Sequence, residues 1–189
     1  LPMWVADMDF QVPQPVIDAL TARAQHGIFG YGVLGASYRQ AVIDWMHRRH
    51  GWTVEADWIV TTPGVVPALN MLVRTFVAPG QRVIIQPPVY YPFYTAISNN
   101  GADLARNPLL LTDGRYGMDL AGLESLAAEP DVAMLILSSP HNPVGRVWTP
   151  DELRRLGEIC LAHDVLVVAD EIHGDLLYPG QRFTPFATL

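Results

Sequence analysis

The chain has no lysine: all twelve of its Lys or Arg positions are arginine. Any mechanism that needs a lysine nucleophile, base or phosphate ligand from within these 189 residues is therefore excluded. Cysteine is almost as scarce. Cys160 stands alone, so there is no internal disulfide framework and a reducing, cytoplasmic compartment is expected. Charged residues make up only 16% and the net charge is −7, with Arg48-Arg49 the nearest approach to a basic cluster; a surface that tracks nucleic-acid phosphates is not expected. Long apolar runs are missing too. Stretches such as Val132 to Leu137 fall far short of a bilayer span, and Leu1-Pro2-Met3-Trp4 leads to Asp7 and Asp9, so neither a membrane helix nor a signal peptide is expected. With no initiator methionine, and an ending at Ala187-Thr188-Leu189, the chain reads as a piece of a longer protein. Apolar side chains are abundant at 50%, enough for a substantial core and against wholesale disorder.

Short apolar runs alternate with segments of helical period, the pattern of an α/β domain with a mostly parallel sheet. Helices are predicted at Pro15 to Gln25, where Val16, Ala19, Leu20 and Ala24 share a face, and at Ser37 to His50, with Ser37 as cap and Gly51 as stop. Others are predicted at Val65 to Val77, from Pro92 to about Asn99, near Leu120 to Ala128, and at Pro150 to His163 with Thr149 as cap. Strands are predicted at Trp58 to Thr61, Val83 to Gln86, Val132 to Leu137 and Val165 to Ala169, and 100–119 reads as irregular. A boundary near Gly51 separates an N-terminal helical segment, 1–50, from a strand-helix domain, 51–189.

Several motifs invite a function and must be weighed. Gly30-Tyr31-Gly32-Val33-Leu34-Gly35 matches G-x-G-x-x-G, but a helix rather than a strand precedes it and Arg48-Arg49-His50 lies where a ribose-binding acid belongs. Val165 to Glu171 resembles a Walker B strand, yet without lysine there is no phosphate loop to accompany it. A metal site from Asp170, Glu171, His173 and Asp175 is disfavoured, since strand alternation sends Asp170 and Glu171 to opposite sides. His47 and His50 read as a solvated helix face. Thr61-Thr62-Pro63-Gly64-Val65 joins a turn to a helix start and would offer free N–H groups to a phosphate. Ser138-Ser139-Pro140-His141-Asn142-Pro143-Val144-Gly145-Arg146 follows a buried strand, so its prolines and glycine fix an irregular loop with Asn142 as a projecting donor. Asp170 ends the next strand, where a carboxylate is costly without a cationic or strongly donating partner.

Together these residues resemble the large domain of fold-type I pyridoxal-phosphate enzymes, the class I/II aminotransferase superfamily. The fold so implied is three-layer α-β-α, incomplete here. In detail the chain is similar to the MalY/PatB subgroup of cystathionine β-lyase-like C–S lyases. The likeness runs through Met3 to Phe10, Phe29-Gly30-Tyr31, Thr62 to Val66, Pro88 to Phe93, Ser139 to Arg146 and Asp170-Glu171-Ile172-His173. It implies that Asp170 keeps the cofactor's pyridine nitrogen protonated and that Asn142 bonds its phenolic oxygen near the substrate carboxylate. Tyr90, or less favourably Tyr91, would stack on the ring, and the N–H groups of Gly64, Val65 and Val66 would cradle the phosphate. His173 would lie at the cofactor, where many aminotransferases have tyrosine, and Ala6 would approach the substrate carboxylate. Tyr31 would reach the phosphate of the other subunit in a homodimer with a shared site. The family's Schiff-base lysine, a following phosphate-binding arginine and a small C-terminal domain have no counterpart in this sequence, so the chain alone is expected to be inactive. For the intact protein the expected reaction is β-elimination from cystathionine or a related cysteine S-conjugate, with thiol, pyruvate and ammonia as products. An aminotransferase is the alternative enzyme, and a non-catalytic regulatory or binding module the alternative of another kind.

Overall fold

The structure, a computed structural model, describes residues 6–189, so Met3, Trp4 and Val5 of the opening motif lie outside the described residues. Two compact units divide the chain, Leu1–Tyr38 and Arg39–Leu189.

The first unit contains helix α1 (Gln14–His26), with proline in its first turn and Gly27 at φ 73° ending it, a geometry that glycine adopts without the Cβ clash other residues meet. The predicted apolar face of α1 is real as a period but is not a core face: Val16 and Leu20 are exposed and α1 buries nothing. Helix α2 (Ala36–His50) begins one residue before Ser37, which therefore lies inside the helix and is not its cap. As expected, a helix rather than a strand precedes the loop at Gly30: α1 ends at His26. In the second unit, the C-terminal part of α2 is tied to the region after the last strand: Trp45 Nε1 donates to Asp175 at 2.8 Å, and His50 Nε2 lies 3.0 Å from the same carboxylate. That tie places the compact division earlier than the predicted boundary near Gly51.

The rest of the second unit runs α3 (Val65–Phe76), β1 (Arg82–Ile85), α4 (Pro92–Ser98), β2 (Asp103–Arg106), β3 (Leu110–Thr112), β4 (Arg115–Gly117), α5 (Leu120–Ala127), β5 (Val132–Ser138), α6 (Pro150–Ala162) and β6 (Leu166–Asp170). Strands β1, β2, β5 and β6 form one parallel sheet in the order β2-β1-β5-β6. Alternate side chains of a strand point to opposite faces, and both faces here are covered. Val83, Ile85, Met134 and Ile136 pack with Leu69 and Val73 of α3 and Phe93 and Ile97 of α4. Ile84, Leu135 and Leu137 pack on the other side with Leu123 of α5 and Leu153 and Leu156 of α6. The result is the three-layer α-β-α arrangement, each fully buried Leu or Ile contributing about 1.5–3 kcal/mol relative to exposure. Helix α6 starts as expected, with the Thr149 hydroxyl accepting from the Glu152 N–H and the Glu152 carboxylate accepting from the Thr149 N–H.

Two further expectations fail. Trp58 to Thr61 is not a strand: Ala56–Trp58 is a single 3-10 turn, and Trp58 and Val60 are exposed with no neighbouring strand to pair with. Residues 100–119 are not irregular but hold β2 and the antiparallel hairpin β3-β4.

Candidate functional site

Parallel strands end on one edge, and this edge gathers most of the candidate residues. From β1 the chain turns to β2 on one side, whereas β5 leads to β6 on the other, so the direction of winding reverses between β1 and β5. Open α/β sheets bind ligands in the crevice outside the strand ends at such a reversal. The loop after β1 carries Tyr90, and the loop after β5 carries Asn142.

Hydrogen bonds fix the Asn142 loop from within. The Ser138 hydroxyl accepts from the Asn142 N–H at 3.1 Å, and Trp148 Nε1 donates to the Ser138 carbonyl at 2.9 Å. The Gly145 N–H donates to the His141 carbonyl and the His141 N–H to the Arg146 carbonyl, both at 2.8 Å. Asn142 is half-buried, and its side-chain amide makes no hydrogen bond to a described residue. Tyr90 is half-buried, edge-on to Phe93 with centroids 6.1 Å apart; Tyr91 is mostly exposed, so Tyr90 is the better-held aromatic.

Asp170 ends β6, beside Ser138 in the ladder, and its carbonyl accepts from the Ser139 N–H at 2.9 Å. One carboxylate oxygen accepts from the Ile172 N–H at 3.2 Å. No arginine pairs with it among the described residues. Burial pushes its carboxyl above the usual range, partly countered by the Ile172 N–H and the charge of His173. Such a group is suited to a cationic donor, which would restore the anion. Glu171 faces elsewhere, accepting from the Phe186 N–H at 2.7 Å; burial pushes it up to about 7. Among the described residues no three of His, Cys, Asp and Glu gather as metal ligands.

Gly64 sits immediately before α3 at φ 151°, ψ 168°, a backbone that a side chain would strain. The N–H groups of Gly64, Val65 and Val66 make no hydrogen bond to a described residue, and α3 has no side-chain cap. Free donors at the positive end of a twelve-residue helix suit a phosphate. His173 is half-buried three residues past Asp170. Ala6 and Tyr31 belong to the first unit and are exposed. Sequence reasoning passed over His141, which is buried and whose Nε2 lies 3.0 Å from the Pro88 carbonyl; its place in Pro140-His141-Asn142-Pro143 was the available signal.

The family described as Aminotransferase class I and II matches residues 4–189. Cystathionine beta-lyase PatB of Bacillus subtilis (strain 168) is 50% identical over 189 residues, 100% of this chain and 49% of that protein. Protein MalY of Escherichia coli (strain K12) is 33% identical over 190 residues, again 100% of this chain and 49% of that protein. The structure of cystalysin from Treponema denticola, which contains a pyridoxal 5'-phosphate cofactor, superposes with a TM-score of 0.95 at 43% identity, covering 98% of this chain and 47% of that one. The chain thus spans about half the length of the curated relatives it matches.

Proposed function

Because the chain belongs to the class I and II aminotransferase family, in its MalY/PatB subgroup, we propose that the full-length protein is a pyridoxal 5'-phosphate-dependent C–S β-lyase. It cleaves cystathionine or a related cysteine S-conjugate to thiol, pyruvate and ammonia. The observation that carries the choice of reaction is the 50% identity to a cystathionine β-lyase along the whole chain.

The chain's own residues fit the cofactor. Asp170 is a half-buried carboxyl with no arginine partner among the described residues, so it would hold a protonated ring nitrogen and be returned to its anionic form by it. Gly64, Val65 and Val66 would bind the phosphate through their unpaired N–H groups, and Asn142 would donate to the ring oxygen from a loop that cannot easily drift. Tyr90 would cover the ring face, with His173 alongside. When bound, pyridoxal phosphate supplies an electron sink for the electrons left as the substrate α-proton is removed. The base that removes it comes from sequence outside this chain, which has no lysine.

The protein works as a homodimer in a cytoplasmic setting, where the lone buried Cys160 stays reduced. Its first unit supports the dimer: Phe10, Ile28, Phe29 and Val33 are all strongly exposed, more apolar surface than a solvated segment usually carries. Tyr31 would extend from that surface to the neighbour's phosphate, and Ala6 would approach the substrate carboxylate.

The test is pyruvate release from cystathionine by the full-length protein with no keto acid added. Asp170→Asn is expected to remain folded and to lose about 100-fold in rate, since a neutral amide cannot keep the ring nitrogen protonated. Turnover that requires an added keto acid would instead identify an aminotransferase.

A further inference from the structure

We propose that His141 is a positioning residue: its ring is a strut that holds the loop carrying Asn142 to the loop carrying Tyr90, across the reversal point between β1 and β5. The catalytic consequence rests on the pyridoxal-phosphate reading above, whereas the strut itself does not.

The need for such a strut follows from the two loops. Pro87, Pro88 and Pro92 occupy one, Pro140 and Pro143 the other, and proline has no N–H to donate. The backbone cannot donate between them at those positions, and here a side chain supplies the donor. His141 does so. Its Nε2 lies 3.0 Å from the Pro88 carbonyl, whereas among the described residues no backbone–backbone hydrogen bond joins residues 86–92 to 138–146.

The ring is held from several directions. His141 is 2% exposed, edge-on to Trp148 with centroids 5.5 Å apart at 88°. Trp148 is itself buried, anchored to the Ser138 carbonyl, and lies 4.7 Å from the guanidinium carbon of Arg146, which pairs with Glu152 of α6. The His141 backbone is closed onto Gly145 and Arg146. Burial keeps the imidazole below the usual histidine range, so at neutral pH it carries one N–H. A carbonyl can only accept, so that proton resides on Nε2. Nδ1 is left buried with no partner, a cost an apolar residue of similar size would avoid. Histidine at this place is explained by the donation to Pro88. Asn142 is the next residue along, and Tyr90 is two residues past Pro88, so slack in the strut reaches both groups.

The test uses the full-length protein and two variants. His141→Phe keeps the ring and its contact with Trp148 but removes the donor; His141→Gln restores an N–H of similar reach. In the cofactor-free protein, His141→Phe is expected to speed hydrogen exchange about tenfold at the amides of 89–91 and of 141, 142, 144 and 145 together, with His141→Gln returning both towards the parent. Faster exchange in one loop alone, or in neither, overturns the strut. If His141→Phe does not fold, ring nitrogen shifts of the unaltered protein decide: a neutral ring protonated on Nε2 is expected, and a charged ring or one protonated on Nδ1 overturns it. With cofactor, His141→Phe is expected to lower kcat about tenfold and to weaken cofactor retention about tenfold with little change in KM, and His141→Gln to recover most of both. Unchanged kcat and retention despite loosened loops would overturn the positioning role. Failure of the parent protein to bind pyridoxal phosphate would reject the function proposed above and its catalytic consequence, while the exchange result would still decide the strut.

Discussion

In the unit Arg39–Leu189, Ile84, Met134, Leu135 and Leu137 are fully buried, whereas among the described residues up to Tyr38 none is buried and only Ile17 is even partly so. Both regions carry apolar side chains at regular spacing. The spacing on α1 puts Val16 and Leu20 on one face just as firmly as the alternation on β5 puts Met134 and Ile136 on one. The difference lies in what covers them: the sheet's own helices close over β5, and no layer of the first unit closes over α1. Periodicity therefore reports a face and leaves its partner open. The largest expected effect tests this contrast directly. Leu135→Ala should cost about 3 kcal/mol in urea denaturation, because it leaves a cavity between strand and helices. Leu20→Ala should change stability by less than about 0.5 kcal/mol. Comparable losses at the two sites would mean that α1 packs into a core after all.

The same contrast explains how much of the molecule was legible in its sequence. Strand β5 and helix α6 were readable because local signals and packing agree: six apolar residues end in a loop of prolines, and Thr149 with Glu152 writes the helix start into four positions. Trp58 to Thr61 has good strand residues but no neighbour, so propensity alone misled. The hairpin β3-β4 was missed because Leu110 and Leu111 are both exposed and show no alternation of burial. Its turn was the readable part: Asp113 and Gly114 at φ 51° and 75° form the Asp-Gly pair that two-residue hairpins favour. At the site, Asp170 and Gly64 could be read because one ends β6 and the other immediately precedes α3, and Asn142 and Tyr90 because they lie in proline-rich loops that follow β5 and β1. His141 stands in the same motif, but its role could not be read there, since it lies in meeting a carbonyl 53 positions away in the chain.

A second test sharpens the contrast within the sheet unit, between its dry centre and its C-terminal edge. Glu171 lies at that edge and burial pushes it from 4.5 up to about 7. Because the folded state holds this proton more tightly than the unfolded state, stability falls as pH rises from about 4.5 to about 7 and is level above that. Glu171→Gln keeps an oxygen for the Phe186 N–H and removes the charge. It should flatten the slope and stabilise the protein above pH 7 by on the order of 2 kcal/mol, after discounting for partial exposure. Denaturation midpoints across that pH range check the outcome. A slope that survives in the variant would assign it to Asp170, whose carboxyl is raised in the same direction.

The smallest expected effect belongs to the first unit, where Tyr31 is fully exposed between Gly30 and Gly32. If that unit serves a neighbouring copy rather than its own sheet, the tyrosine hydroxyl acts across the dimer. Tyr31→Phe in the full-length protein should then lower activity about tenfold through one lost hydrogen bond to a charged group. Mixing it in equal amount with a variant lacking the downstream lysine separates the two placements. With a shared site, each mixed dimer has one site carrying both defects and one carrying neither. Half of the dimers are mixed, so the mixture should recover about a quarter of the parent activity. With Tyr31 serving its own subunit, every site retains one defect and the mixture shows only the mean of the two variants. Subunit exchange is verified by mass-tagged copies, and activity at that mean would place Tyr31 in its own site and remove the shared-site dimer from the proposed function.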